Sequence, residues 1–295
     1  MELLKALTLS LGEIEDPVIT RYRLGVILHH LYRDKTYKGE RLRIQKEGAT
    51  SQDFNKRLAE LLRGGLLKSS SGYGSGNYQL LGRKPENMEE VACCIDPFCY
   101  VSHLSAMSHH GLSLRMPVKI FITSPTSRKW SDLAGKRMEK DLGTDLEFYF
   151  ENGLPPLTRS KIETLGRIDV HRFSSIHWGS YVNIRGKNLR VSSIGKTFLD
   201  MLKNPELCGG MNHVIETFQD HALNYLPLIV EEINLHGGPI DKVRCGYILD
   251  EILQISLPVL DQWVEFAQRG GSRKLDPTGE YLPEWSEKWC LSLNL

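Results

Sequence analysis

Apolar residues change their spacing several times along this chain, and each change marks an element. Leu24, Ile27, Leu28 and Leu31 recur at the three- and four-residue steps of a helix. Residues 17–33 are therefore expected to form an amphipathic helix, with Asp16 as its N-cap and Pro17 at its first position. A short second helix is expected over residues 40–46, closed by Gly48. Thr50 and Ser51 can cap a third, whose Phe54, Leu58, Leu61 and Leu62 share one face before Gly64 and Gly65 end it. Two short extended runs follow, at 66–69 and 78–81, and the Gly- and Ser-rich stretch between them suits a hairpin tip. Helix, short helix, turn, helix and hairpin is the order of a winged helix-turn-helix, placed here at residues 1–85. Residues 83–90 are polar, hold Pro85, and read as a linker.

Further along, Asp96-Pro97 predicts a helix start, with Gly111 as its end. Segments 118–123, 146–150, 168–173 and 181–184 are β-branched or alternating enough to be strands. The pattern then turns helical over 194–203, 211–222, 226–236, 241–254 and 257–268. The expected fold class is α+β: an N-terminal winged helix followed by a mixed α+β domain, residues 90–295, with a helical C-terminal half.

Charge adds a direction. Residues 1–85 hold 15 Lys and Arg against 9 Asp and Glu, a surplus of +6, whereas the remainder carries −5. A basic N-terminal block suits a polyanionic partner. On the third helix, Gln52, Asn55, Lys56, Ala59 and Arg63 fall on the side opposite the apolar stripe. Asn and Gln can pair with adenine edges, Lys with guanine or phosphate, and a small Ala permits close approach. Thr50 and Ser51 would set hydroxyls and the helix N-terminus beside a phosphate. Arg41, Arg43 and Lys46 could hold the backbone across the groove, and Lys68, Tyr73 and Ser75 could bring the wing to a neighbouring phosphate or the minor groove. A polar helix face alone is an ordinary solvated surface; the caps, the double glycine, the Gly-rich hairpin and the local charge together point to double-stranded DNA. Two copies reading it would meet inverted repeats, as a dimer on the DNA.

Composition places the chain among ordinary globular proteins, with 41% hydrophobic and 25% charged residues and no run long enough to span a bilayer. The N-terminus lacks the pattern of a secretory signal. Six cysteines form no CxxC pair and read as reduced and structural, which points to the cytoplasm and no membrane. His103 and His109 are six residues apart and do not share a helix face, so no metal site is expected there or at His29 and His30. Asp145, Glu147 and Glu163 invite a nuclease reading, but 148–150 supplies no Lys on the same strand. Gly186-Lys187 and Gly195-Lys196-Thr197 echo a phosphate loop without its earlier glycine; the second more naturally opens a helix. No catalytic residue, metal or cofactor is assigned.

Residues 100–112, YVSHLSAMSHHGL, resemble the Y-V-S-x-x-S-A-L-x-x-H-G-L helix of the AbiEi family of antitoxins from abortive-infection toxin–antitoxin operons. Residues 117–123 are similar to the strand that follows in that family, and 191–200 to its x-T-P-E-R-T-L-L-D segment, with Ile194-Gly195-Lys196 in place of Pro-Glu-Arg. Residues 205–210 and 243–249 resemble its P-E-L-x-G-G and R-L-G-Y-L-L stretches. The resemblance implies a non-enzymatic transcriptional autorepressor and antitoxin that counteracts a nucleotidyltransferase-like toxin. His103, His109 and His110 are then candidates for the antitoxin surface. Two alternatives stand beside it: a winged-helix regulator of another defence operon with a ligand-sensing second domain, and a restriction-like nuclease.

Overall fold

A computed structural model describes residues 1–268 and 273–295. In chain order the elements begin with α1 (Leu3–Gly12), β1 (Val18–Thr20), α2 (Arg21–Asp34), β2 (Thr36–Tyr37), β3 (Glu40–Arg41) and α3 (Ser51–Arg63). Next come β4 (Leu67–Ser69), β5 (Asn77–Leu80), α4 (Met88–Ile95), β6 (Tyr100–Val101), α5 (His103–His109), β7 (Ile120–Pro125), α6 (Ser127–Leu142) and α7 (Leu146–Glu151). The series closes with β8 (Thr164–Leu165), β9 (Ile168–Ser175), β10 (Tyr181–Asn183), β11 (Arg190–Ser192), α8 (Ile194–Lys203), α9 (Met211–His236), α10 (Pro239–Tyr247), α11 (Pro258–Val264), β12 (Trp285–Ser286) and β13 (Leu291–Ser292). The class is α+β, and no helix among the described residues is long and apolar enough to cross a membrane.

The chain forms two compact units from interleaved segments. Unit 1 is Met1–Cys99 with Ser124–Ile176 and Asn183–Arg190; unit 2 is Tyr100–Thr123, His177–Val182 and Val191–Leu295. The first unit thus continues past residue 85 and recruits α6, α7, β8 and β9.

In unit 1 a three-stranded antiparallel sheet has the order β1-β5-β4, with Ile19 opposite Tyr78 and Lys68 opposite Gln79. The expected helix at 17–33 starts later, at Arg21. Val18-Ile19-Thr20 are β-branched and pair with β5, and the Thr20 side chain accepts from Arg23 N–H as the true N-cap. The expected helix at 40–46 is absent: β2 and β3 form a hairpin, and the chain from Leu42 to Thr50 is irregular. One core gathers Leu7 and Leu11 of α1, Leu24 and Leu28 of α2, and Phe54 and Leu61 of α3, together with Tyr149 and Leu154. Gly25 makes room for α7, since a β-carbon there would lie 2.4 Å from the Tyr149 hydroxyl.

Two further expectations in this unit fail for definite reasons. Asp96-Pro97 ends a helix rather than starting one. Asp96 is buried, and its carboxylate accepts from Ser124 Oγ, Trp130 Nε1 and Phe98 N–H. Residues 146–150 belong to helix α7, not a strand; Tyr149 is its buried aromatic residue, whereas Phe150 is exposed.

Unit 2 holds a small sheet in which β6 runs parallel to β11 and antiparallel to β7. Its core is built by α8, α9, α10 and α11 around Phe198, Phe218, Ile233, Ile248 and Trp263. Segments 211–222 and 226–236 form a single helix, α9, that accommodates Pro227. The Trp289 ring lies against Gly246, where a β-carbon would come within 2.1 Å of it. All six cysteines are free thiols, four of them buried.

Candidate nucleic-acid interface

Helix α3 is fixed at its start by a reciprocal cap. Thr50 Oγ1 accepts from the Asp53 N–H at 3.3 Å, and the Asp53 carboxylate accepts from the Thr50 N–H at 3.1 Å. Its apolar stripe, Phe54, Leu58 and Leu61, is buried, so the opposite side must face outward. Gln52, Asn55, Lys56, Ala59 and Arg63 are all exposed, as their spacing predicts.

Not every residue expected at a DNA contact is equally available. Lys46 Nζ donates to both Asp53 oxygens, at 3.0 and 2.9 Å, so its charge is matched within the fold. Burial alone would raise the Asp53 carboxyl; the Lys46 ammonium and the Thr50 donors outweigh it and hold the group below the usual carboxylate range. Ser51 N–H donates to the Asn152 carbonyl at 2.9 Å, and Gly153 lies against the Ser51 side chain. Ser51 is exposed, but its N–H and that of Asp53 already have acceptors, which leaves fewer donors at the helix start for a phosphate.

Ser75 and Lys68 are exposed on the hairpin between α3 and α4, whereas Tyr73 is buried beneath it. Asn77 Nδ2 donates to the Tyr73 carbonyl at 2.8 Å, and burial pushes the Tyr73 phenol up. Tyr73 is therefore a structural anchor, not a contact at the tip. The tip itself is braced by the β8–β9 turn, where Gly166 N–H donates to the Gly72 carbonyl at 3.0 Å.

Arg41 and Arg43 are exposed, and their backbones hold the chain start. The Met1 ammonium donates to the Arg41 carbonyl at 2.7 Å, and Arg43 N–H donates to the Met1 carbonyl at 3.1 Å. Among the described residues, Arg41, Arg43, Lys56, Arg63 and Lys68 make no salt bridge. Among the residues expected at a DNA contact, these carry charges that no carboxylate matches.

Arg21 is an addition that sequence reading missed. As the first residue of α2 it reaches α3, where its guanidinium donates to Asn55 Oδ1 at 3.3 Å and lies 4.9 Å from the Phe54 ring centroid. With the helix expected from residue 17, nothing marked position 21; the Thr20 cap was the signal.

Comparison with known proteins gives a fold and no function. No family model matches the chain, and no curated protein matches it. A solved structure, the RV2827C protein of Mycobacterium tuberculosis, shares the architecture at a TM-score of 0.51 and 12% identity, over 98% of this chain and 90% of that one.

The histidines expected at a second surface lie in unit 2 and part company. His103 is buried, with Nδ1 2.8 Å from Ser102 Oγ, which removes it from any surface. His110 is half-buried, its Nε2 2.7 Å from the Ser192 carbonyl oxygen, and only His109 is exposed. The carboxylates weighed for a nuclease also disperse. Asp145 accepts from Arg33 at 2.8 and 3.1 Å, Glu147 lies in α7, and Glu163 is exposed beside Lys161.

Proposed function

We propose that unit 1 is a winged helix-turn-helix that binds double-stranded DNA, with α3 as the reading helix, and that the chain represses transcription of its own operon. The observation that carries this is the exposed face of α3. It offers Gln52, Asn55, Lys56 and Arg63 around a small Ala59, on a helix held by α2 and flanked by the three-stranded sheet. Arg41, Arg43 and Lys68 supply positioning contacts to phosphate, and Arg21 orients Asn55.

Binding of the full chain to DNA from its own promoter, followed by fluorescence anisotropy at several salt concentrations, tests the reading. Five or six neutralised phosphates predict a slope of log K against log[salt] of about −5. Protected sites should be inverted repeats spaced by a helical turn or a small multiple. A flat salt dependence would contradict it.

The likeness of 100–112, 191–200 and 205–210 to AbiEi segments favours a second role, as an antitoxin against a nucleotidyltransferase-like toxin. The acidic balance of residues beyond 85 suits a basic, nucleic-acid-handling partner. Co-expression with that toxin from an unrelated promoter tests it: a chain unable to bind DNA should still restore growth, and failure to do so would tie the two roles together.

A further inference from the structure

Helices α8 and α9 of unit 2 touch backbone to backbone. A β-carbon on Gly195 would lie 2.4 Å from the Leu228 carbonyl oxygen and 2.9 Å from Glu232 Cβ. This contact turns Gly195-Lys196-Thr197 away from any phosphate loop and makes it the seam of two packed helices. Beside the seam lies a cavity of about 220 Å³, lined by His177, Trp178, Lys196, Lys203, Glu232 and His236 among others. That is more room than a single water requires.

Its charges are unevenly satisfied. Lys196 is buried and paired with Asp200 one turn on. Lys203 lies 3.6 Å from the Asp241 carboxylate and donates to the His236 carbonyl at 3.2 Å. Glu232 is only 9% exposed, yet its Oε1 has no hydrogen-bond partner and the carboxylate joins no salt bridge among the described residues.

A carboxylate withdrawn from water and left without donors is strongly unfavourable. The group in the wall that lacks a partner is an acceptor, the Glu232 carboxylate, while both lysines are already matched. What the cavity lacks is a donor with positive charge. A metal ion does not answer the need, because no three His, Cys, Asp or Glu side chains among the described residues converge as ligands. An organic cation does, and the Trp178 ring in the wall is suited to it.

We propose that this cavity binds a small primary amine or guanidine, whose head is hydrogen-bonded by Glu232 and rests against Trp178. The site belongs to unit 2, whereas the proposed reading helix belongs to unit 1, so either can fail without the other.

Isothermal titration of the full chain with agmatine, putrescine and L-arginine, and with butyrate as a carboxylate of similar size, tests it. At least one amine should bind and butyrate should not. Glu232→Gln, which keeps the shape and removes the charge, should weaken that binding by about thirtyfold or more. If the variant does not fold, the Trp178 indole N–H resonance of the unsubstituted protein, assigned through Trp178→Phe, should shift on adding the amine. No binding by any amine at millimolar concentration, equal binding by Glu232→Gln, or an unmoved Trp178 resonance would each overturn the proposal.

Discussion

Lys46 donates to both carboxylate oxygens of Asp53, at 3.0 and 2.9 Å, and so ties the irregular segment before α3 to the helix start. Asp53 also closes the cap with Thr50. Asp53→Ala should therefore destabilise the protein by about 1 kcal/mol, the usual cost of losing a cap. The folded state holds the Asp53 carboxyl below its ordinary value, so it binds that proton less readily than the unfolded chain does. The stabilisation is then present above the unfolded carboxylate pKa, about 3.9, and is lost as pH falls through the lower folded value. Urea denaturation at neutral and strongly acidic pH checks this; an unchanged gap between wild type and variant would contradict it.

Lys68 and Tyr73 lie near each other in sequence but should separate cleanly by experiment. Lys68 is exposed and unpaired, so Lys68→Ala should weaken DNA binding alike for all sequences and reduce the salt slope by about 1. Tyr73 is buried, so Tyr73→Ala should cost about 3–5 kcal/mol of stability, as large aromatic truncations do. Tyr73→Phe should leave DNA affinity unchanged. A loss of affinity in a stably folded Tyr73→Phe protein would return this residue to the interface.

Gly195 tests the α8–α9 seam. Gly195→Ala places a methyl group 2.4 Å from a backbone carbonyl oxygen, which the helices can relieve only by parting. A loss of about 1–3 kcal/mol is expected, the range for overpacked cores. Thermal unfolding of the variant should show it, and a stability equal to wild type would mean the helices do not meet there.

Elements with local signals were legible. Helix α3 carries its cap, its apolar stripe and its stop within fifteen residues, and the helical repeat over 194–203 coincides with α8. Elements set by distant partners were not. Val18-Ile19-Thr20 are a strand because β5 lies beside them. Asp96 ends α4 with its side chain bound to Ser124 and Trp130, about thirty residues away. Helix α7 alternates and is aromatic like a strand, but docks on Gly25 as a helix. Leu3, Ala6, Leu7 and Leu11 form the buried side of α1, a helix whose repeat is visible in the sequence. Within the candidate interface, exposure of the α3 face followed from periodicity, whereas the Lys46–Asp53 pairing, the burial of Tyr73 and the reach of Arg21 depend on contacts that spacing does not encode.

The measurement that bears most directly on the central claim compares two titrations of promoter DNA, one with the wild-type chain and one with an Asn55→Ala, Lys56→Ala double variant, at one salt concentration. Both side chains are exposed, and the bond that Asn55→Ala removes, from Arg21, lies at the surface, so the variant should fold with a stability close to wild type. If α3 reads bases, affinity for the operator should fall by about 1–3 kcal/mol per lost base contact, while affinity for unrelated DNA should fall far less. Operator affinity equal to that of the wild type, in a variant shown to be folded, would remove α3 as the reading helix and contradict the proposed function.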